Sequence, residues 1–458
     1  MIETSEDLII TYIADHQAFF STQKTKDIGF RIAQLHKLKK AILNYQVKIE
    51  NALWDDLHKS PEETYLTEIS IVLNEIEHHI KNLKKWSAPK KVATPIHLLP
   101  SSSNIIYEPL GIALIVAPWN YPFQLLLNSL VGAISSGCCC VLKPSPDTPN
   151  VASVMENMIL EIFDSNYISI VQGGRKTNTI LFSQRFDIIF FTGSSKVGKV
   201  VMRAAAENLT PIILELGGKS PCIVDADANL EIAAKRIAWG KLINAGQTCI
   251  APDYLFAHQS IKEELLNKIA ENIKLMFGSD LKQSRFYPRI VTETATERLS
   301  GLLNQGSIHT GREVDVKQKF IAPTIIDDVK PDFKIMQEEI FGPILPVLTF
   351  NDIEEPINYI NKNEKPLAFY YFGKNKKAKE ILAKTTSGGA CINDTLMHIS
   401  NHNLPFGGVG NSGMGNYHGK ESFLAFSHKR AVVTTPTWID LPLKYPPFKY
   451  FKLIKKII

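Results

Sequence analysis

Apolar residues recur at helical spacing through the first 85 residues, with lysines and glutamates between them. The clearest run consists of Ile28, Ile32, Leu35, Leu38, Ile42 and Leu43. This spacing predicts two or three amphipathic helices between Ser5 and about Lys85. From Trp86 to Pro109 the periodicity is lost, and prolines and a serine-rich turn separate short apolar pieces. That stretch is predicted to be an excursion or hairpin arm.

From Gly111 the pattern changes to short apolar runs that alternate with helical segments. Strands are predicted at 112–117, 140–142, 168–171, 186–191 and 211–215, and helices from Pro122, over 155–163 and from about Ser195. A second series of this kind begins at 254–257 and ends near Gly388. Repeated β-α units predict an α/β protein with parallel sheets, whose ligands bind at the carboxyl ends of the strands.

Length and charge narrow the class of protein. A chain of 458 residues is too long for one compact core, so two or three domains are expected. The net charge is +5, and the five lysines after Asp440, where no acid follows, account for this excess. Because the rest of the chain carries equal numbers of basic and acidic residues, a nucleic-acid partner is not expected. No uninterrupted apolar run reaches the ~20 residues of a membrane span.

The cysteines indicate a reducing, cytoplasmic setting. Six are present, three of them consecutive, and none forms a Cys-x-x-Cys pair for a metal. The N-terminus also lacks the basic start of a signal peptide. Cys138 to Cys140 lead into a predicted strand and are interpreted as packing thiols. The adjacent His78 and His79 are expected to be solvated on a helix, so no metal site is predicted.

Two residues are candidates for nucleophilic and base chemistry. Cys249 lies between the amphipathic segment 228–244 and a new apolar run, so its thiol can face a cleft while its backbone is held. Taken alone, an ordinary buried cysteine explains it equally well. Glu215 ends a predicted strand beside Gly217 and Gly218, and its apolar neighbours would raise its pKa toward that of a useful base.

Two glycine-rich segments suggest a nucleotide site, and they differ in context. The stretch 190–198 reads as a strand, a tight glycine turn and a helix start, where backbone N–H groups attract a pyrophosphate. The literal G-x-G-x-x-G string at 408–413 follows Pro405, where a strand should lie, and is interpreted as a decoy. Glu339 and Phe341 are spaced to contact a ribose hydroxyl and a flat ring.

Taken together, these segments resemble the aldehyde dehydrogenase superfamily over about residues 105–430. Six motifs fall in the family's order: 118–122 with Asn120, 143–145, 193–198, 215–218, 246–249 and 339–343. The segments 405–415, 417–420 and 426–428 are similar to the class 3 branch, which acts on fatty and aromatic aldehydes. The short N-terminal region and Tyr445-Pro446-Pro447 fit that branch too.

The resemblance implies a domain organisation. A Rossmann-like NAD(P)-binding domain is expected from 1–85 and 110–216, and an αβ catalytic domain from 217–395. Residues 86–109 and 396–435 would form a small β bridging arm and active-site loop that makes a homodimer. A basic and apolar tail would follow at 441–458. Tail docking on its own body or across a dimer is favoured over contact with an anionic membrane.

The resemblance also assigns roles to residues. The Cys249 thiolate would attack an aldehyde, Asn120 and the Cys249 N–H would hold the oxyanion, and Glu215 would activate the water that hydrolyses the thioester. Trp119 and Tyr121 would line the substrate pocket. The cofactor would be NAD or NADP, bound by Lys143, Gly193, Ser194, Val197, Gly198, Leu216, Gly217, Glu339 and Phe341.

One departure from the family and two rival functions stay open. Similar members have a glutamate three residues after the lysine, where this chain has Pro146. Loss of that acid removes repulsion toward a 2′-phosphate, so NADP should be accepted alongside NAD. The rivals are a CoA-acylating dehydrogenase, against which Glu215 argues, and a catalytically silent homologue. Medium- or long-chain aliphatic or aromatic aldehydes are the expected substrates.

Overall fold

The computed structural model describes residues 3–440, 442–448, 450–452 and 455. Its helices are α1 Glu6–Ser21, α2 Ile28–Leu57, α3 Pro61–Thr64, α4 Ser70–Ser87, α5 Pro122–Ser136, α6 Pro149–Ile162, α7 Arg175–Ser183, α8 Ser195–Ala206, α9 Leu230–Leu242, α10 Lys262–Phe277, α11 Glu293–Ser300, α12 Lys334–Gln337, α13 Glu354–Lys362, α14 Asn375–Lys384 and α15 Lys420–Ala425. Its strands are β1 Lys90–Val92, β2 Ser102–Pro109, β3 Ile112–Val116, β4 Cys139–Lys143, β5 Ile168–Ile170, β6 Ile188–Gly193, β7 Ile212–Leu216, β8 Pro221–Val224, β9 Tyr254–His258, β10 Ser307–Thr310, β11 Val314–Asp315, β12 Phe320–Ile321, β13 Thr324–Asp327, β14 Ile344–Phe350, β15 Ala368–Phe372, β16 Gly389–Ile392, β17 Gly413–Met414 and β18 Ser427–Thr434.

The N-terminal region is helical, as the apolar spacing predicts. The starts of α1 and α2 are capped by Ser5 and Asp27, whose side chains accept backbone N–H bonds. The prediction for His79 is wrong, because its ring is buried rather than solvated. Its Nδ1 lies 2.6 Å from Ser135 Oγ and its Nε2 lies 3.1 Å from Glu75 Oε1. Helix α4 packs on α5 along this face, so the imidazole is enclosed.

The first large sheet has six strands in the order β17-β7-β6-β3-β4-β5. Neighbouring strands are parallel except for β17, which pairs antiparallel with β7. The carboxyl ends of β3, β4, β6 and β7 therefore meet at one edge of the sheet. The 408–413 segment has no strand before it and leads into β17, so it covers the edge of the sheet and is not a dinucleotide-binding turn.

A second sheet of seven strands has the order β10-β13-β14-β9-β8-β15-β16. All its pairings are parallel except that of β10 with β13. Strands β8, β9 and β15 are buried on almost every residue, because helices cover both faces of a parallel sheet. Cys249 lies in the connection from α9 to β9, at the carboxyl-end side of the first sheet's β7.

A third, antiparallel sheet joins distant parts of the chain. Strand β2 pairs with β1 on one side and with β18 on the other, in register from Ser427 against Pro109 to Thr434 against Ser102. Antiparallel strands are therefore present where a hairpin arm was predicted, and this arm sheet, β1-β2-β18, begins at Lys90 rather than at Trp86. Its bridging role stays a prediction. Trp86 belongs to α4 and is buried there, because the helix continues to Ser87 and packs its indole against Phe423.

The tail is described only in part. Its described aromatic residues are about half exposed: Tyr445, Phe448, Tyr450 and Phe451. These rings are therefore only partly covered within their own protomer, and the place where the tail docks stays a prediction. The predictions for Leu441, the Leu443 side chain, Lys449, Leu453, Ile454, Lys456, Ile457 and Ile458 lie outside the described residues. Within the described part of the chain, none of the helices has the length and apolarity needed to cross a bilayer.

Candidate active site

A left-handed turn places Cys249. After α9 the chain passes through Asn244, Ala245 and Gly246, which have φ angles of 53°, 51° and 75°. A Cβ atom on Gly246 would lie 2.3 Å from the Gly342 carbonyl oxygen, so only glycine fits there. Two non-glycine residues in this region of backbone space are strained and need strong support from their surroundings. The chain reverses within these residues and brings Cys249 to the mouth of a pocket.

Buried amides hold this turn. Asn244 Nδ2 donates to the Asn120 carbonyl oxygen at 2.7 Å and to the Gln247 carbonyl oxygen at 3.2 Å. Gln247 donates through Nε2 to the Arg289 carbonyl oxygen at 3.0 Å and accepts from the Val291 N–H at 2.9 Å. The sequence shows these two amides beside the cysteine, but their partners come from distant segments and could not be read from it.

One pocket of about 210 Å³ brings the three predicted chemical residues together. It is lined by Pro118, Trp119, Asn120, Leu125, Thr192, Gly193, Ser194, Glu215, Leu216, Gly217, Cys249, Glu339, Phe341, Leu367, Phe406 and Tyr417. The Trp119 ring packs edge-on against Phe341, with centroids 5.4 Å apart. Tyr121 does not line this pocket; its hydroxyl lies 2.6 Å from Thr248 Oγ1 and supports the cysteine turn instead.

The Asn120 amide is nearly buried beside the cysteine turn. Its Nδ2 donates to the Gln247 carbonyl oxygen at 3.0 Å. An amide nitrogen carries two hydrogens, so one N–H is committed to the turn and the other is free to serve a ligand. The same bond fixes the orientation of the side chain. Asn120 can therefore present a donor to a carbonyl oxygen that sits over Cys249.

Glu215 is a buried carboxyl group with no hydrogen-bond partner among the described residues. Burial raises its pKa well above the usual value for glutamate. It occupies the fourth position of β7, next to Leu216, which directs its side chain into the pocket. A carboxyl group with a raised pKa can take up a proton near neutral pH, as a general base requires.

The surroundings of the Cys249 thiol favour its protonated form. Burial, followed by the negative charges of Glu339 and Glu215, raises its pKa to about 12, against the smaller opposing effect of its own N–H and that of Ile250. A base must therefore accept the proton when the sulfur attacks. Glu215 and Glu339 are the titratable groups that act on it.

The glycines at the edge of the first sheet allow close packing of the strand and helix that flank the predicted cofactor site. A Cβ on Gly193 would lie 2.7 Å from the Phe191 ring, and one on Gly198 would lie 2.7 Å from Leu216. Ser194 caps α8, the helix that follows β6, by accepting the Val197 N–H. The start of this 12-residue helix attracts phosphate through its N–H groups and dipole. These features fit the predicted dinucleotide.

Lys143 lies at the carboxyl end of β4. Its ammonium donates to the Pro144 carbonyl oxygen at 2.8 Å. Burial lowers its pKa to about 8, while the charges of Asp147 and Glu3 act in the opposite direction. The structure therefore places acids near this lysine even though position 146 is proline.

Glu339 is held by a clamp that the sequence did not reveal. Its Oε1 accepts the Gly218 N–H at 3.2 Å, and a Cβ on Gly217 would lie 2.0 Å from its Oε2. Lys219 pairs with Asp253 and donates to the carbonyl oxygens of Ile335 and Glu338. Lys219 lies just before β8, and Asp253 lies just before β9. Because β8 and β9 pair side by side, these two residues meet although they are distant in the chain.

Comparison with known proteins agrees with this geometry. The model of the aldehyde dehydrogenase family matches residues 3–432. The chain is 48% identical over 445 residues to the 4,4′-diaponeurosporen-aldehyde dehydrogenase of Staphylococcus aureus, covering 96% of this chain and 97% of the relative. It is 44% identical to the dimeric NADP-preferring aldehyde dehydrogenase of Canis lupus familiaris, with coverage of 94% and 96%. The chain belongs to the aldehyde dehydrogenase family.

A solved structure extends this agreement to the fold. The substrate-bound state of Staphylococcus aureus AldH superposes with a TM-score of 0.96 at 47% identity, covering 98% of this chain and 99% of that one. The predicted α/β class with Rossmann-like parallel sheets is thus confirmed. This aldehyde dehydrogenase oxidises aldehydes to carboxylic acids with NAD+ or NADP+ as the hydride acceptor.

Proposed function

We propose that Cys249, Asn120 and Glu215 carry out this oxidation through a covalent thioester. The observation that supports this most directly is that all three side chains line one 210 Å³ pocket at the carboxyl end of β7. Cys249 Sγ attacks the aldehyde carbon, and its proton passes to a neighbouring carboxylate, which releases it to solvent before the thioester is hydrolysed. The free N–H of Asn120 and the Cys249 backbone N–H hold the oxyanion, where one donor is typically worth ~10²–10³ in rate.

The second half of the reaction needs a hydride acceptor and a base. The cofactor, when bound, supplies an oxidised nicotinamide that accepts the hydride. Glu339 and Phe341 orient the nicotinamide ribose, Gly193, Ser194, Val197, Gly198, Leu216 and Gly217 form the adjoining cradle, and Lys143 contacts the adenosine end. Glu215 takes a proton from water, and the resulting hydroxide attacks the thioester carbon. The Cys249 sulfur then leaves and the carboxylic acid forms.

Apolar side chains in the pocket favour medium- or long-chain aliphatic or aromatic aldehydes. Trp119, Leu125, Leu367, Phe406 and Phe341 supply carbon surface around the three polar groups. Such a lining binds an alkyl or aryl group by removing its surface from water. Because this pocket also takes the nicotinamide end of the cofactor, the rest of the substrate extends beyond it.

Transfer of the acyl group to coenzyme A is less well supported than hydrolysis. Glu215 is buried beside the cysteine and has no hydrogen-bond partner in the part of the chain that the structure describes. A thiol acceptor has no need of a water-activating base, whereas hydrolysis does. We therefore assign water as the acceptor of the acyl group. If Cys249 formed no adduct with any aldehyde, the protein would instead be a catalytically silent homologue.

We also propose a homodimer in a reducing, cytoplasmic setting. Strand β18 is largely exposed along the arm sheet, which leaves a surface for a second copy. All six cysteines are free, as expected where thiols stay reduced.

Acyl-enzyme trapping tests this proposal. Glu215→Gln should accumulate a covalent acyl group on Cys249 when supplied with NAD+ and aldehyde, because hydrolysis loses its base. Intact-protein mass spectrometry of wild type, Glu215→Gln and Cys249→Ser gives the readout across a panel of aliphatic and aromatic aldehydes, including 4,4′-diaponeurosporen-aldehyde. Absence of an adduct in Glu215→Gln, with activity retained, would refute the assignment; fast release by coenzyme A but not water would favour the acylating reaction.

A further inference from the structure

Helix α5 starts directly after the turn that carries Asn120, and its own sequence provides no cap. Tyr121 occupies the N-cap position and makes no side-chain capping bond. Instead, the N–H groups of Phe123 and Gln124 donate to Glu68 Oε2 at 3.0 and 3.2 Å. A carboxylate is well suited to this place, because the N-terminus of a helix is electropositive. Glu68 thus caps α5 from another segment of the chain.

Glu68 lies in a π-helical turn, Tyr65–Ile69, between α3 and α4. A π turn inserts an extra residue and redirects the side chains that follow, and such turns are frequent at functional sites. The other carboxylate oxygen, Oε1, pairs with Lys59 Nζ at 2.5 Å. Both side chains are fully buried.

Lys59 also contacts the turn at Asn120. Its ammonium lies 3.4 Å from the Asn120 carbonyl oxygen and 4.4 Å from the centroid of the Tyr121 ring. That carbonyl also accepts from Asn244 Nδ2 in the cysteine turn. Lys59 and Glu68 therefore contact both ends of residues 120–124. The Asn120 carbonyl oxygen lies close to both Lys59 and Asn244, so it links these contacts to the turn that carries Cys249.

A buried ion pair is a poor way to gain stability, since desolvation of both charges offsets their attraction. Its consequence here is geometric, because the pair fixes the Asn120 carbonyl oxygen and the two backbone N–H groups of Phe123 and Gln124. We propose that Lys59 and Glu68 are positioning residues for aldehyde oxidation, and that they hold the Asn120 amide where the oxyanion forms. This inference rests on the oxyanion role proposed for Asn120.

Glu68→Gln tests the inference with little change of volume. The variant loses the charge that pairs with Lys59 and places an amide where one carboxylate oxygen accepted two N–H bonds. We expect kcat/KM for the aldehyde at saturating cofactor to fall ~10- to 100-fold, as for partial loss of an oxyanion donor. Cofactor affinity, measured by NADH fluorescence titration, should stay within about twofold of wild type.

Alkylation of Cys249 by iodoacetamide separates positioning from general loosening. Alkylation needs the sulfur but forms no oxyanion, so its rate in Glu68→Gln should match wild type. Mass spectrometry can follow Cys249 selectively, because the other five cysteines are buried. A parallel loss of alkylation and oxidation would overturn the proposal, since it would mean that the cysteine turn itself had moved.

Combination with Asn120→Ala provides the second criterion. If Glu68 acts through the Asn120 amide, Glu68→Gln should add little to the loss already caused by Asn120→Ala, because residues in one network are not additive. A fully additive double variant would overturn the inference. Full activity in Asn120→Ala alone would instead refute the proposed oxyanion role, so the two failures are distinguishable.

Asp56→Asn is the matched control. Asp56 is also a buried carboxylate that accepts backbone N–H bonds at a helix start, from Asn150 and Val151 of α6. Like Glu68→Gln, this variant loses a buried charge at a helix start and should be less stable than wild type. Its kcat/KM for the aldehyde should nevertheless stay near that of wild type. If Glu68→Gln does not fold, Glu68→Asp keeps the charge on a shorter arm and should show the same selective loss; an unselective loss in that variant would overturn the proposal.

Discussion

At the scale of single residues, the environment of Glu215 determines when it can act. Burial raises the pKa of its carboxyl group, so the ionised form that serves as a base is scarce at low pH and grows as pH rises. Hydrolysis of the acyl-enzyme should therefore accelerate with pH, by up to about tenfold per unit below the raised pKa, and level off above it.

Single-turnover hydrolysis of preformed acyl-enzyme, followed between about pH 6 and pH 9, measures this dependence. Glu215→Gln should be slow and much less sensitive to pH, since it lacks the titrating group, apart from the slope that hydroxide itself contributes. A wild-type rate that stays flat across this range would contradict the assignment of Glu215 as the base.

Position 146 offers a second test at this scale, on the cofactor. Pro146 lies in a half-buried turn near Lys143. NADP should be accepted alongside NAD, with kcat/KM for NAD exceeding that for NADP by less than ~100-fold, or ~2.7 kcal/mol. Pro146→Glu restores an acid that would repel the 2′-phosphate, so it should shift the kcat/KM ratio toward NAD by roughly tenfold.

Pro146→Gln is the control for that change, because it has the same size as glutamate and no charge. Its cofactor ratio should remain close to wild type. Asp147, whose charge already acts on Lys143, limits the size of the effect. Titration with NADPH and NADH gives a binding readout independent of turnover, and equal ratios in the glutamate and glutamine variants would contradict the prediction.

At the scale of helices and strands, the amino-acid sequence predicted most of the first sheet. The runs at 112–117, 140–142 and 186–191 are nearly continuous and apolar, as expected for strands buried on both faces, and they form β3, β4 and β6. The decoy at 408–413 was recognised because a proline stood where the fingerprint needs a strand. Local pattern was sufficient for the three strands because burial on both faces leaves a continuous run of apolar residues.

The sequence failed where a side chain's partner lies far along the chain. His79 resembled a solvated helix residue because the bond to Ser135 comes from α5, 56 residues later. The Lys59–Glu68 pair was overlooked because two charged residues nine apart are common on helices, and the π turn that aims Glu68 leaves no mark in the periodicity. The candidate site was predictable by its motifs, whereas its supporting contacts depend on tertiary packing.

At the scale of the whole molecule, the arm sheet and the tail provide exposed surface for association with a second copy of the chain. Strand β18 is mostly exposed, and Trp438 beyond it is 77% exposed. The described aromatic residues of the tail are also about half exposed on the isolated protomer. A second copy of the chain would cover such surface, and full burial of a large apolar side chain contributes about 1.5–3 kcal/mol. We therefore expect the tail to dock across the proposed dimer.

A chain that ends at Asp440 tests this expectation against membrane contact. Removal of the tail should weaken dimerisation by more than about tenfold, measured by sedimentation equilibrium, because its aromatic rings no longer contribute to the interface. Both chains should stay in the supernatant with vesicles of anionic phospholipid, since a tail docked on protein presents no apolar face to lipid. If only the full-length chain pelleted with vesicles while dimer affinity was unchanged, its five lysines and aromatic residues would be acting at a lipid surface instead, because basic charge and apolar side chains together drive interfacial binding.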